Sequence, residues 1–281
     1  MTFSNDQQHL SFEFFPTKTL ESRKKLSITR KQLRQFQPEF FSCTYGAGGS
    51  TRLGTLQIIG DIVAEKAIPA TPHIACIGSH PEEIKNLLSH YDNLGIQQLV
   101  CLRGDLPSGI GRPDGFTYAE ELILFVKEHY GNRFQLIVAA YPEFHPQAEN
   151  AREDLRYFIR KCKAGANLAI TQYFYNADAY FYFVDALHSQ GVDIPIIPGI
   201  MPIVSFSKLA RFSISCGAEI PRWLKLKLHS YGDDTASIKA LGLDFVTSMC
   251  ERLLQGGAPG LHFYTLNQAG LTSTICERLG Y

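Results

Sequence analysis

LSFEFFPTKTL, residues 10–20, holds the pattern that decides the fold. Leu10, Phe12 and Phe14 alternate with Ser11, Glu13 and Phe15, the two-residue period of a β-strand. Pro16 closes the run, and a helix-like amphipathic stretch begins near Leu20. The same unit recurs along the chain. Strand-like runs occupy 10–16, 40–46, 71–77, 98–103, 135–141, 168–174, 194–200 and 261–267. Helix-like stretches follow near Leu20, Thr51, Pro81, Thr117, Ala148, Ala177, Ser205 and Ala269. Pro81-Glu82-Glu83 is a well-formed helix start, with proline and acids in the first turn. Strands alternating with helices imply a parallel sheet with helical crossovers. Eight such units with nothing left over favour a closed (β/α)8 TIM barrel over an open doubly wound sheet. About 60 residues separate the last two strands, with extra helical segments over 221–230 and 235–254 that read as an insertion packed on the barrel. No linker or low-complexity stretch divides the chain, so residues 1–281 are expected to form a single domain.

Composition narrows the function classes. Lys+Arg 27 balance Asp+Glu 27, which removes the electrostatic case for nucleic acid. No apolar run approaches the ~18 residues of a membrane span, and the N-terminal residues lack a signal-peptide pattern. Seven singly spaced cysteines with no CxxC pair read as reduced thiols of a cytoplasmic protein, not a disulfide frame or zinc site. A neutral, core-rich chain of this kind points to an enzyme acting on small molecules.

In a (β/α)8 barrel the site forms at the C-terminal ends of the strands. Those ends are rich in chemistry here: Glu13, Thr44-Tyr45, His73, Arg103-Gly104-Asp105, Tyr141 with Glu143 and His145, Gln172, and the Tyr264-to-Asn267 run. Glu13 sits in a strand buried on both faces, so desolvation is expected to raise its pKa and suit it to general acid work. A buried carboxylate paired with Arg103 is the other reading. Asp105 before Leu-Pro also reads as a turn cap, and His73 beside Pro72 as a hydrogen-bonded core histidine. Ala139-Ala140 before Tyr141 would let a flat ring approach the sheet, although two alanines are as readily plain packing. His145-Pro146 reads equally as a loop corner. No metal-ligand spacing such as HExxH occurs, and no dinucleotide fingerprint. Gly46-Ala47-Gly48-Gly49-Ser50 is a weak phosphate-loop signal, or a loop with no ligand. Asp154, Tyr157, Arg160 and Lys161 recur at near-helical spacing and form either one polar stripe or a solvated face.

Together these motifs resemble the methylenetetrahydrofolate reductase family. The resemblance rests on SFEFFPTKT (11–19), TYGAGGST (44–51), TPHIACI (71–77), LRGDLPSG (102–109), AAYPEFHPQA (139–148), AGANLAITQYFYN (164–176), IPGIMPI (197–203), IPRW (220–223) and HFYTLN (262–267). It runs nearly end to end and matches the short bacterial form. It implies a barrel that binds FAD non-covalently, is reduced by NADH or NADPH, and passes hydride to methylenetetrahydrofolate in a ping-pong cycle. It further implies a homo-oligomer, dimer or tetramer. Glu13 matches the family's general acid and Asp105 the aspartate near flavin and folate. Thr44, Tyr45, His73, Arg103, Gly104, Tyr118, Ala139, Tyr141, His145, Ala148, Asp154, Tyr157, Arg160 and Lys161 fall at FAD-contact positions. Gln172 and Phe212 match residues that contact or stack on either substrate.

Two departures concern the substrate tail. Lys208 stands where members commonly have glutamine, and Leu266-Asn267-Gln268 replaces a usual Leu-Asn-Arg, so a cation has moved between elements. Tyr157 also replaces a smaller polar residue. Three other functions compete with this one: a related folate barrel transferring methyl groups, a flavin barrel oxidising an amino acid, and a non-catalytic folate- or flavin-binding partner. The intact Glu13 argues against the last.

Overall fold

The computed structural model describes residues 8–45, 49–105 and 115–281. In chain order the elements are β1 (His9–Phe14), α1 (Leu20–Leu33), β2 (Phe40–Cys43), α2 (Gly49–Glu65), β3 (Ala70–Ala75), α3 (Pro81–Asn93), β4 (Gln98–Leu102) and α4 (Ala119–Tyr130). They continue as β5 (Gln135–Ala140), α5 (Ala151–Ala164), β6 (Leu168–Thr171), α6 (Ala177–Ser189), β7 (Ile196–Ile197) and β8 (Gly199–Ile200). The remainder is α7 (Phe206–Cys216), α8 (Arg222–Ser230), α9 (Thr235–Gln255), β9 (Gly260–Tyr264) and α10 (Gly270–Leu279).

Every strand pairing is parallel, in the order β7-β6-β5-β4-β3-β2-β1-β9-β8. The two ends of that order are one stretch of chain. Pro198 lacks an N–H and splits the seventh stave, whose first half pairs with β6 and whose second half pairs with β9. The sheet therefore closes into the expected barrel of eight staves. No helix among the described residues is long and apolar enough to cross a membrane.

Strand alternation builds two cores. Leu10, Phe12 and Phe14 face outward with Ile74, Leu99, Leu136 and Phe263 into the layer between sheet and helices. The lumen is filled by Phe40, Val100, Ile137, Leu168, Ile170 and Ile197. Asn150 and Asp234 cap α5 and α9 by accepting hydrogen bonds from first-turn N–H groups, which places both helix starts where the sequence changes from polar loop to periodic run. Of the three helices between β8 and β9, α9 packs against both α6 and α10 and so takes the ring position. The added pair is α7 and α8, and not the α8 and α9 to which the sequence spacing points.

A cavity of about 1100 Å³ opens at the N-terminal ends of the strands, lined by residues including Glu39, Lys66, Gln98, Lys127, Arg133 and Gln135. The titratable side chains singled out above gather at the opposite end, where parallel barrels place their chemistry.

Candidate active site

Glu13 lies in the lumen, level with Ser42 of β2 and Tyr264 of β9. Its Oε2 is 3.4 Å from His73 Nε2 and 3.5 Å from His262 Nε2. Both nitrogens are buried without a hydrogen-bond partner, and the two rings face one carboxylate. The His262 ring is held on its far side by Ser11, Nδ1 to Oγ 2.7 Å. Burial pushes His73 down to about 4, outweighing the Glu13 charge that pulls it up, so His73 is neutral at neutral pH. The Glu13 backbone is pinned as well. Its carbonyl accepts from Thr265 Oγ1 at 2.7 Å, and Asn267 grips the Phe15 peptide through Oδ1 at 3.0 Å and Nδ2 at 2.9 Å. With 15% of its side chain exposed, Glu13 reaches the mouth while rooted in the lumen. No Glu13–Arg103 pair forms: Arg103 donates to the Gly104 carbonyl at 3.2 Å and to Gln147.

A second group surrounds the loops after β4 and β5. Tyr141 and His145 meet edge to face, centroids 4.6 Å apart. The His145 N–H donates to Asp154 at 3.0 Å, and His145 Nδ1 accepts from the Gln147 N–H at 3.0 Å. That bond makes Nδ1 an acceptor, so the ring is the neutral Nε2–H form when it holds. Burial first, then the Arg103 charge, lowers the His145 pKa. Burial raises Asp154 against the His145 N–H that stabilises its charge. The Lys161 ammonium donates to the Ala139 carbonyl and is pushed down to about 8 by burial, with Asp154 opposing. Tyr141 is pushed up to about 12 by burial and by the charges of Asp154 and Asp105, which places Asp105, itself exposed, beside this group.

Residues on α5 divide between two sides. Asp154 and Lys161 turn inward, whereas Tyr157 and Arg160 turn outward. Tyr157 stacks near-parallel on Tyr118 at 6.4 Å and 10°, and the Arg160 guanidinium lies 5.8 Å over its ring and pairs with Glu120 at 2.7 Å. The stripe is therefore two surfaces and neither is simply solvated. Two half-exposed parallel rings, a guanidinium, the small Ala139 and the cations Arg103 and Lys161 suit a large aromatic group carrying phosphates.

The remaining candidates form the rim. Thr44 and Tyr45 follow β2, the Thr44 N–H donating to the Phe14 carbonyl at 2.9 Å; burial raises Tyr45. The Ala148 N–H donates to the His145 carbonyl at 2.9 Å. Gln172 follows β6 directly and is half-buried, its Oε1 accepting from the Tyr173 N–H at 3.0 Å. On α7, Lys208 and Phe212 are exposed, and the helix is tied to Tyr173 by Ser213 at 3.0 Å and Cys216 at 3.3 Å. Gln268 is exposed after β9. Residues 46–48 of the glycine loop and 106–109 of LRGDLPSG lie outside the described residues, as do the side chains of 49–51. Of two further lumen residues, sequence reasoning missed His262 and named Tyr264 only as the start of the 264–267 run, although their alternation with Leu261 and Phe263 was the signal for both.

A family model described as methylenetetrahydrofolate reductase matches residues 2–280. The chain is 39% identical over 274 residues to the 5,10-methylenetetrahydrofolate reductase of Escherichia coli (strain K12), covering 98% of this chain and 91% of that protein. It is 36% identical to methylenetetrahydrofolate reductase (NADH) 1 of Arabidopsis thaliana, of which it spans 48%. Among solved structures, a Clostridium thermocellum protein that binds two copies of 5-methyl-5,6,7,8-tetrahydrofolic acid superposes with a TM-score of 0.65 at 18% identity, covering 97% of this chain and 94% of that one. A dihydropteroate synthase from Xanthomonas albilineans gives 0.54 at 12%, covering 99% and 94%. At those identities the two structures speak for the barrel alone.

Proposed function

Because the chain belongs to the methylenetetrahydrofolate reductase family, we propose that residues 1–281 act as one catalytic domain that reduces 5,10-methylenetetrahydrofolate to 5-methyltetrahydrofolate with NADH or NADPH, using non-covalent FAD at the C-terminal mouth of the barrel. The observation that carries this reading is Glu13, a carboxyl rooted in the lumen, open to the mouth and faced by two imidazoles rather than by a fixed guanidinium. FAD, when bound, supplies a two-electron carrier between nicotinamide and folate. Tyr118, Tyr157 and Arg160 would hold its aromatic and anionic parts at the rim, with Arg103, Tyr141, His145 and Lys161 nearer the strands.

Glu13 protonates a folate nitrogen, so that the bridging ring opens to an electrophilic iminium able to accept hydride. With His73 neutral, no full positive charge from that ring stands beside the Glu13 carboxyl, and Ser11 steadies the His262 ring on the other side. Asp105 places negative charge at the mouth, where it tunes the cofactor's potential. Gln172 hydrogen-bonds whichever substrate is bound and Phe212 stacks on it. Lys208 and Gln268 meet the glutamate tail of the folate. One berth for two substrates makes the cycle ping-pong, with the nicotinamide leaving before the folate enters. Seven free thiols support a reducing compartment, so we place the enzyme in the cytoplasm. It acts there as a dimer or tetramer, which size-exclusion chromatography with light scattering tests.

The purified protein is expected to be yellow, to bleach anaerobically with NADH or NADPH, and to recolour when methylenetetrahydrofolate is added. Bleaching without recolouring would overturn the folate assignment, and a colourless protein the flavin assignment.

A further inference from the structure

β9 ends on Tyr264, a residue that the chemistry above leaves unused. It stands level with Glu13 across the β1–β9 ladder, and its ring meets His262 edge to face at 5.3 Å and 86°. The side chain passes over the neighbouring seventh stave, and its hydroxyl donates to the carbonyl of Thr171, the last residue of β6, at 2.6 Å. The intervening stave explains why that carbonyl is available. The N–H of that stave that faces β6 here, from Gly199, goes to Thr171 Oγ1 at 2.8 Å and not to the carbonyl. Gly199 also supplies the room. A Cβ there would lie 2.1 Å from the Thr171 oxygen and 2.6 Å from the Tyr264 ring, so only glycine admits this crossing. Burial, with Glu13 and Tyr141 nearby, holds the phenol well above its ordinary pKa, so the hydroxyl remains a donor.

The two ends of this strut matter because of what they adjoin. The Thr171 carbonyl belongs to the peptide that leads into Gln172, and the Gln172 side chain is in turn fixed by the Tyr173 N–H. At the other end, Thr265, the residue after Tyr264, bonds the Glu13 carbonyl. We propose that Tyr264 is a positioning residue, setting the separation and mutual orientation of Glu13 and Gln172 across the barrel mouth. This rests on the folate reading, in which acid and amide must engage one substrate together. A misplacement of about 1 Å in such a pair costs on the order of 100-fold in rate.

Tyr264→Phe keeps the ring over Gly199 and removes only the hydroxyl. Anaerobic stopped-flow should show reoxidation by methylenetetrahydrofolate slowed about 10- to 100-fold, with reduction by NADH changed by less than about threefold. The calorimetric Kd for 5-methyltetrahydrofolate should weaken while the melting temperature stays within a few degrees. Combined with Glu13→Gln, the variant should add little further loss, because both act on one alignment. Folate kinetics and Kd within twofold of wild type would overturn the proposal. So would full additivity with Glu13→Gln, or equal loss of both half-reactions together with stability. A wild-type protein that NADH bleaches but methylenetetrahydrofolate does not recolour would bring down the folate reading itself, a result separable from the others because it needs no variant.

Discussion

Replacing Glu13 by Gln removes the ionisable carboxyl from the lumen with almost no change of shape. His73 and His262 would still face a polar group of the same size. Glu13→Gln is therefore expected to retain FAD and its reduction by NADH while losing folate reduction by 10²-fold or more, the range of a lost general acid. Stopped-flow of the two half-reactions separates these outcomes, and wild-type-like turnover would refute the role given to Glu13. His73 makes a second prediction, about stability. Its pKa is about 4 in the folded chain against an ordinary 6.5. Between those values the unfolded chain binds the additional proton, so stability falls as pH drops from about 6.5 to about 4. His73→Gln should flatten that limb, which urea midpoints at pH 7.5 and pH 5 would reveal. A limb equally steep in the variant would place its origin elsewhere.

Helix α9 shows where local propensity and packing disagree. Gly242 sits inside it, and by propensity alone alanine should stabilise the helix by roughly 1 kcal/mol. Yet a Cβ at 242 would lie 2.7 Å from Ile203 Cβ and 2.8 Å from the Ile203 carbonyl oxygen, which is backbone and cannot swing away. Overpacking of that kind costs about 1–3 kcal/mol, so packing wins and Gly242→Ala is expected to destabilise, as a lowered urea midpoint. The same contact explains what sequence periodicity missed. Period-2 runs and helix starts located the eight staves within a few residues, because each signal is local to its own element. Which of α7, α8 and α9 joins the ring depends on a glycine lying against a loop some forty residues earlier, and no period carries that. The inward and outward halves of α5 were hidden for a related reason. Asp154 and Lys161 turn toward β5 and Tyr157 and Arg160 toward Tyr118, a division made by the neighbours and not by spacing.

Across the whole molecule, the site was legible as a set of strand ends before it was visible as a place. Glu13, His73, Tyr141 and Gln172 could be proposed one by one, since a closed barrel brings strand ends together. His262 could not be told from a packing residue, nor Tyr264 given a role, without knowing what lies across the lumen. Charge behaves in the same way. The chain is neutral overall, yet between residues 206 and 230 Lys208, Arg211, Arg222, Lys225 and Lys227 face a single acid, Glu219. Among the described residues none of these five forms an ion pair, whereas Arg133, Arg160, Arg252 and Arg278 all do. The positive excess sits on the added helices, and Lys208 lies one turn from Phe212 on the helix that Tyr173 ties to the mouth. An exposed pair of this type is worth about 0.2–1 kcal/mol, or roughly 1.5- to 5-fold in affinity, and is screened beyond ~10 Å at 0.1 M salt. Lys208→Gln should therefore raise the KM for methylenetetrahydrofolate by that factor, leave kcat and the NADH half-reaction within about twofold, and weaken the salt dependence of KM. A KM that ignores both the substitution and the salt would show that α7 does not read the substrate's carboxylates, leaving Gln268 and the loop after β9 to meet the tail.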